Sequence, residues 1–215
     1  MKENRLSVSR TARYCTIGEW NANTRHVWFV LHGYGQLAQY FIRKFEVLND
    51  GQTLVVAPEA LSRFYLSEFA GRVGASWMTR DDRLAEIDDY VAYLNQLYDT
   101  VKGSNNAENV QVHLLGFSQG TATAARWLAN KHLKCDRLVL WAGYFANGLA
   151  DVVDAEQVKQ LQTVVVYGNK DEFLSEIDLE KYQNDILDVI PHAQIVCFDG
   201  PHAIDVETLK KIAKP

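Results

Sequence analysis

No apolar run in the sequence is long enough to cross a bilayer. The longest stretches, such as Val27–Leu31, fall far short of the roughly 20 residues a membrane helix needs. The start, Met1 to Tyr14, is charged and polar with no apolar h-region, so it gives no support to a secretory signal. No Lys/Arg run exceeds two residues, and the net charge is −5, which argues against a nucleic-acid partner. Cysteine is scarce. Cys15, Cys135 and Cys197 are odd in number and widely spaced, with no CxxC, so neither a metal frame nor a disulfide framework is expected. They read as buried free thiols, and the expected location is a reducing cytoplasm. Repeats, low-complexity tracts and linkers are also missing, and 215 residues suit one domain over 1–215.

What is present is an alternation of strands and helices. Val27–Leu31, Thr53–Ala57, Val110–Leu115, Arg137–Leu140, Thr163–Tyr167 and Ala193–Phe198 are short apolar or β-branched runs, most of them stopped by glycine or proline. Near-continuous apolar strands belong in a parallel sheet covered on both faces. Between them, Leu84, Ile87, Val91, Leu94, Leu97 and Val101 keep a three-to-four spacing, with Asp81-Asp82 before and Lys102-Gly103 after. Gln119–His132, Ile177–Val189 and Ile204–Ala213 are further predicted helices, and Arg10–Gly18 an antiparallel edge strand. The pattern predicts a doubly wound, mostly parallel α/β sheet. Such sheets bind ligands beyond the C-terminal ends of their strands, so motifs at those ends gain weight.

Gly116-Phe117-Ser118-Gln119-Gly120 is a G-x-S-x-G between a predicted strand and an Ala-rich helix, the context of a nucleophile elbow. The tight turn leaves no room for Cβ atoms at Gly116 and Gly120. It lifts the Ser118 hydroxyl above the sheet and aims the Gln119 amide at a reacting carbonyl. His32-Gly33-Tyr34-Gly35 follows an earlier strand, and the Tyr34 amide is the expected second oxyanion donor. His32 precedes the nucleophile, the wrong order for a base in this arrangement, and reads as a loop-organising residue. Beyond Thr163–Tyr167 lies Gly168-Asn169-Lys170-Asp171-Glu172-Phe173, where both Asp171 and Glu172 could orient a histidine. His202, in Gly200-Pro201-His202, follows the last strand; His192 also follows the acids but precedes that strand. A serine hydroxyl is a weak nucleophile until an imidazole takes its proton, and the carboxylate holds that imidazole in the right tautomer. No metal or other cofactor is required.

Leu31-His32-Gly33-Tyr34-Gly35, Ala57-Pro58-Glu59-Ala60, Gly116–Gly120, Gly168–Asp171 and Pro201-His202 together resemble the phospholipase/carboxylesterase family of α/β-hydrolases, which includes acyl-protein thioesterases. The resemblance spans Leu31 to His202. It implies Ser118 as nucleophile, Asp171 as acid, His202 as base, and the amides of Tyr34 and Gln119 as oxyanion hole. Two departures stand out: Thr121 where the family often has a second glycine, and Gln36 where it often has aspartate. The segment 62–80, with Phe64, Tyr65, Phe69, Trp77 and Met78, falls where the family has pocket-lining loops and could cover the site.

These residues lead to the expectation of a serine carboxylic-ester hydrolase acting through an acyl-enzyme on small or medium acyl esters. Thioesters and lysophospholipids are alternative substrates, because each yields the same acyl-enzyme. A non-catalytic binding protein of this fold and a serine peptidase are the competing classes. Trp77, Met78, Tyr144, Phe145 and Phe173 are the expected substrate-pocket residues, with Tyr34 close by. The expected partner is a small acyl ester, with no stable membrane insertion; a homodimer is compatible with the sequence.

Overall fold

The computed structural model describes residues 1–67, 70–103, 109–145, 148–159, 161–175 and 177–214. Seven strands form one sheet: β1 (Tyr14–Ile17), β2 (His26–Leu31), β3 (Thr53–Pro58), then β6 (Gln111–Phe117), β7 (Arg137–Trp141), β8 (Gln162–Gly168) and β9 (Gln194–Phe198). Their spatial order is β1-β3-β2-β6-β7-β8-β9. Only β1 runs antiparallel, with Tyr14 opposite Pro58 and Ile17 opposite Val55. The other pairings are parallel. This is the doubly wound sheet and the antiparallel edge expected from the sequence.

Strand geometry explains the near-continuous hydrophobicity. Successive side chains point to opposite faces. In β2, Val27, Phe29 and Leu31 enter a core containing Tyr90, Leu94 and Trp127, while Trp28 and Val30 enter another containing Phe41, Phe45 and Leu209. The first core lies under α2 (Arg83–Lys102), α3 (Gln119–Ala129) and α5 (Leu179–Val189). The second lies under α1 (Ala38–Phe41), the 3-10 turn Ile42–Leu48 and α6 (Val206–Ala213). Each large apolar side chain fully buried there is worth roughly 1.5–3 kcal/mol.

Capping sets several helix boundaries inside the predicted ranges. Asp178 accepts the Lys181 N–H and starts α5 at Leu179, not Ile177. Asp205 accepts the Thr208 N–H and starts α6 at Val206, not Ile204. Helix α3 ends at Ala129, short of His132, because Asn130 is its C-cap and Lys131 turns to φ 66°. Asp82 precedes α2 without capping it: its φ is 46° and its carboxylate pairs with Arg5 at 2.6 Å.

Within segment 62–80, β4 (Ser62–Tyr65) and β5 (Val73–Ser76) pair antiparallel, which periodicity alone does not reveal. Phe69 lies outside the described residues. A short helix, α4 (Ala155–Val158), begins at Asp154, whose side chain accepts two backbone N–H groups. The thiols also differ from expectation. Cys197 is exposed, because it lies on the edge strand β9 whose outer face is only partly covered, and Cys15 and Cys135 are half-buried. Burial still pushes the Cys135 thiol up to about 12.

Candidate active site

The turn between β6 and α3 holds Ser118 at φ 53°, ψ −119°, a backbone region non-glycine residues rarely occupy. The Ser118 N–H donates to the Trp141 carbonyl at 2.9 Å, and the Ser118 carbonyl accepts from Thr121 N–H at 3.0 Å and Thr121 Oγ1 at 2.6 Å. A Cβ at Gly116 would collide with the Gly120 carbonyl, and one at Gly120 would collide with the Leu31 carbonyl. Thr121, one of the two departures from the family pattern, thus ties down the elbow. Gly143 makes space for it, since a Cβ there would strike the Thr121 side chain.

Asp171 and His202 come from the loops after β8 and β9. Asp171 is buried, 3% exposed, and its Oδ2 lies 2.7 Å from His202 Nδ1. Its Oδ1 accepts the Phe173 N–H at 2.9 Å, which fixes the carboxylate plane. Glu172 is exposed and meets only the His202 backbone N–H, at 3.4 Å. Its own backbone N–H and that of His202 hold its carboxyl below the usual range. The two loops are sewn together: Lys170 N–H donates to the Gly200 carbonyl at 2.9 Å and Gly200 N–H to Asn169 Oδ1 at 3.2 Å. A Cβ at Gly168 would collide with the Gly200 carbonyl, so the close approach of the loops needs glycine there. The His202 ring sits between Phe117 and Phe173, at centroid distances of 4.9 and 4.6 Å.

Ser118, Asp171 and His202 line one cavity of about 450 Å³. The Ser118 hydroxyl makes no hydrogen bond among the described residues, to His202 or otherwise. Such bonds are often long before substrate binds. The remaining five histidines are engaged elsewhere. His26 and His113 pair with each other, His132 meets Asp99 and His192 meets the Leu161 carbonyl. His32 is fully buried. Its Nε2 accepts the Ala60 N–H at 3.1 Å, so its proton sits on Nδ1, which donates to the Gly33 carbonyl at 2.7 Å. Burial pushes it down to about 4, which keeps it neutral. His32 organises the loop, as its position in the sequence suggests.

Several side chains that sequence reasoning missed hold this loop. Gln36, the second departure, accepts the Gly33 N–H at 2.8 Å through its side chain. Gly35 N–H donates to the Ala75 carbonyl and Ala75 N–H to the Gln36 carbonyl, which joins the loop to β5. Gln119 spans the site from the other side, accepting from Trp77 N–H at 3.1 Å and donating to the Met78 carbonyl at 2.8 Å. Beneath the loop, buried Glu59 receives Arg13 Nε at 2.6 Å, Arg63 Nε at 2.8 Å and the Ala38 N–H at 3.2 Å. Burial raises the Glu59 carboxyl, but the arginine hydrogen bonds outweigh it and hold the group below its ordinary range. The Tyr34 and Gln119 backbone N–H groups have no protein acceptor among the described residues.

Among the expected pocket residues, Met78, Tyr144 and Phe173 line the Ser118 cavity. Trp77 does not. It is 2% exposed, lies tilted against His32 with ring centroids 5.1 Å apart and donates its indole N–H to the His32 carbonyl, because the turn after β5 directs it into the core. Phe145 does not either: it lines a neighbouring cavity of about 520 Å³ with Leu149, Ile177 and Tyr182. Tyr34 is exposed and lies 5.1 Å from the Phe64 ring. Among the described residues no cluster of three His, Cys, Asp or Glu side chains could hold a metal ion. No helix among them is long and apolar enough to cross a membrane.

A family model described as serine hydrolase (FSH1) matches residues 23–209. No curated protein matches the sequence. Solved structures share the fold at low identity. Acyl-protein thioesterase 2 of Zea mays is 17% identical with a TM-score of 0.66, over 94% of this chain and 96% of its own. A phospholipase/carboxylesterase from Dyadobacter fermentans is 15% identical with a TM-score of 0.63, over 96% of each chain. Esterase PE8 is 18% identical with a TM-score of 0.61, over 94% of this chain and 98% of its own.

Proposed function

Because the chain belongs to the FSH1 serine hydrolase family, we propose that it cleaves carboxylic esters of small or medium acyl groups through an acyl-enzyme, with Ser118 as nucleophile, His202 as base and Asp171 as orienting acid. One observation carries this reading. A buried Asp171 carboxylate holds the His202 ring at 2.7 Å in the cavity that Ser118 also lines. Ser118 Oγ attacks the carbonyl carbon as its proton passes to His202 Nε2. Charge builds on the carbonyl oxygen, which the Tyr34 and Gln119 amides receive. The bond to the leaving oxygen breaks as His202 returns the proton to that atom. Water then attacks the acyl carbonyl by the same route and frees Ser118. Asp171 holds the tautomer and stabilises the imidazolium.

Met78, Ala122 and Leu174 give the cavity apolar walls suited to an acyl chain. Thioesters and lysophospholipids fit the same chemistry. The family membership speaks against a non-catalytic role. The test is fluorophosphonate labelling followed by an acyl-length series of esters, thioesters and amides. The probe is expected on Ser118, and Ser118→Ala is expected to lose activity by several orders of magnitude while remaining folded. Labelling elsewhere, or an active Ser118→Ala, refutes the assignment.

A further inference from the structure

His202 stands in two walls at once. On one side it closes the cavity that contains Ser118. On the other it closes a larger cavity, of about 790 Å³, whose lining includes Phe117 and His202 but not Ser118. That second cavity lies between the loop at Gly35–Leu37, the 3-10 turn Ile42–Leu48, the start of β5 and the segment after His202.

The chemistry divides a substrate between the two. The acyl group becomes bonded to Ser118 and stays in the cavity Ser118 lines. The leaving group must reach His202, which protonates it, and need not touch Ser118 once the bond has broken. Of Ser118, Asp171 and His202, only His202 also lines the second cavity, which makes that cavity the place for the leaving group.

Charge separates the two cavities as well. The only cation lining the Ser118 cavity among the described residues, Arg126, is mostly buried, 14% exposed, and faces Asp151 at 3.7 Å. The second cavity is lined by Lys44 and Arg72, with no acidic side chain in its described wall. Neither cation makes an ion pair among the described residues. Gln36 and Gln39 supply further polar groups, and Tyr40 and Phe41 an apolar side. In a protein of net charge −5, a concave surface whose described wall carries two cations and no anion concentrates negative ligands against the general field.

Resting on the hydrolase reading above, we propose that this second cavity is a leaving-group site selecting an alcohol or thiol that carries a carboxylate or phosphate. Lys44 and Arg72 hold the anion, and His202 in the same wall protonates the departing oxygen or sulfur. Both cations are exposed, so each adds about threefold and the pair about tenfold, diminishing as salt rises.

The test compares butyrate esters of matched phenols: 4-nitrophenol, 3-carboxy-4-nitrophenol, and a third whose phenol bears a phosphate. The wild-type protein is expected to favour at least one anionic ester over the neutral one by about tenfold in kcat/KM, through KM, with the preference shrinking between about 20 and 500 mM salt. The double variant Lys44→Glu/Arg72→Glu is expected to reverse that ratio. Arg43→Gln, which removes a neighbouring cation placed over the Tyr40 ring at 5.3 Å, is expected to keep it. Turnover of the neutral ester with no preference for either anion, or a ratio unmoved by charge reversal, overturns the leaving-group site and leaves the hydrolase reading intact. No turnover of any ester, together with no labelling of Ser118, overturns both.

Discussion

Two adjacent carboxylates, of which Asp171 is the one proposed to orient the base, differ chiefly in burial. Asp171 is buried against the His202 ring at 2.7 Å, whereas exposed Glu172 reaches only a backbone N–H at 3.4 Å, near the limit of a useful hydrogen bond. Asp171→Ala is expected to lower kcat by about 10⁴, as loss of the tautomer-fixing acid does in serine proteases. Glu172→Ala is expected to lower it by less than about tenfold, since a weak surface contact is all that is removed. Steady-state kinetics on both variants checks the pair; a larger loss in Glu172→Ala reverses the assignment. Residue order alone left this choice open, because neighbours in a loop share every local signal and differ only in which one the loop buries.

At the scale of elements, the loop after β2 is held through Glu59 as well as from its ends. Glu59 binds Arg13 of the segment before β1, Arg63 of β4 and the first backbone N–H of α1. It thereby clamps three elements through one buried carboxylate. Glu59→Gln keeps the shape but removes the charge, and is expected to cost about 2 kcal/mol, modest because both arginine partners remain half-exposed. Chemical denaturation measures it. A loss below about 0.5 kcal/mol would mean that the arginines reach water without penalty. This clamp was not legible in the sequence, nor was the β4–β5 pairing, because both depend on contacts between distant segments. What was legible depends on neighbours in the chain. The six parallel strands announced themselves by β-branched runs ending in glycine or proline, and the elbow by glycines forced by a strand-to-helix turn. Trp77 marks the limit of such reading: an aromatic in a pocket loop and an aromatic in a core look alike until the turn is built.

Across the whole molecule, two buried histidines tie stability to pH. Burial pushes His32 down to about 4; burial, then Arg137 and His26, push His113 down to about 3, both from 6.5. Between those values and 6.5 the unfolded chain binds protons that the folded chain refuses, so stability rises with pH and is lost as pH falls. Each contributes a slope of up to about 1.4 kcal/mol per pH unit. Urea midpoints are expected to fall steadily from pH 6.5 to 5, and His113→Gln is expected to flatten that fall by about half; an identical slope in the variant refutes its share. The sheet is also unequal from centre to margin. Ser118 leaves β6, which is paired on both sides, while His202 leaves β9, which is paired only with β8 and carries side chains that are at most half-buried. Local opening should therefore begin at that margin. Amide hydrogens of Gln194–Phe198 are expected to exchange with deuterium well before those of Gln111–Phe117, and warming is expected to abolish turnover some degrees before the helices melt. Equal exchange in the two strands would show that the margin is as firm as the centre. A substrate bonded to Ser118 and hydrogen-bonded to His202 would then act as a brace from the centre of the sheet to its edge, slowing exchange in β9 for as long as the acyl group stays in place.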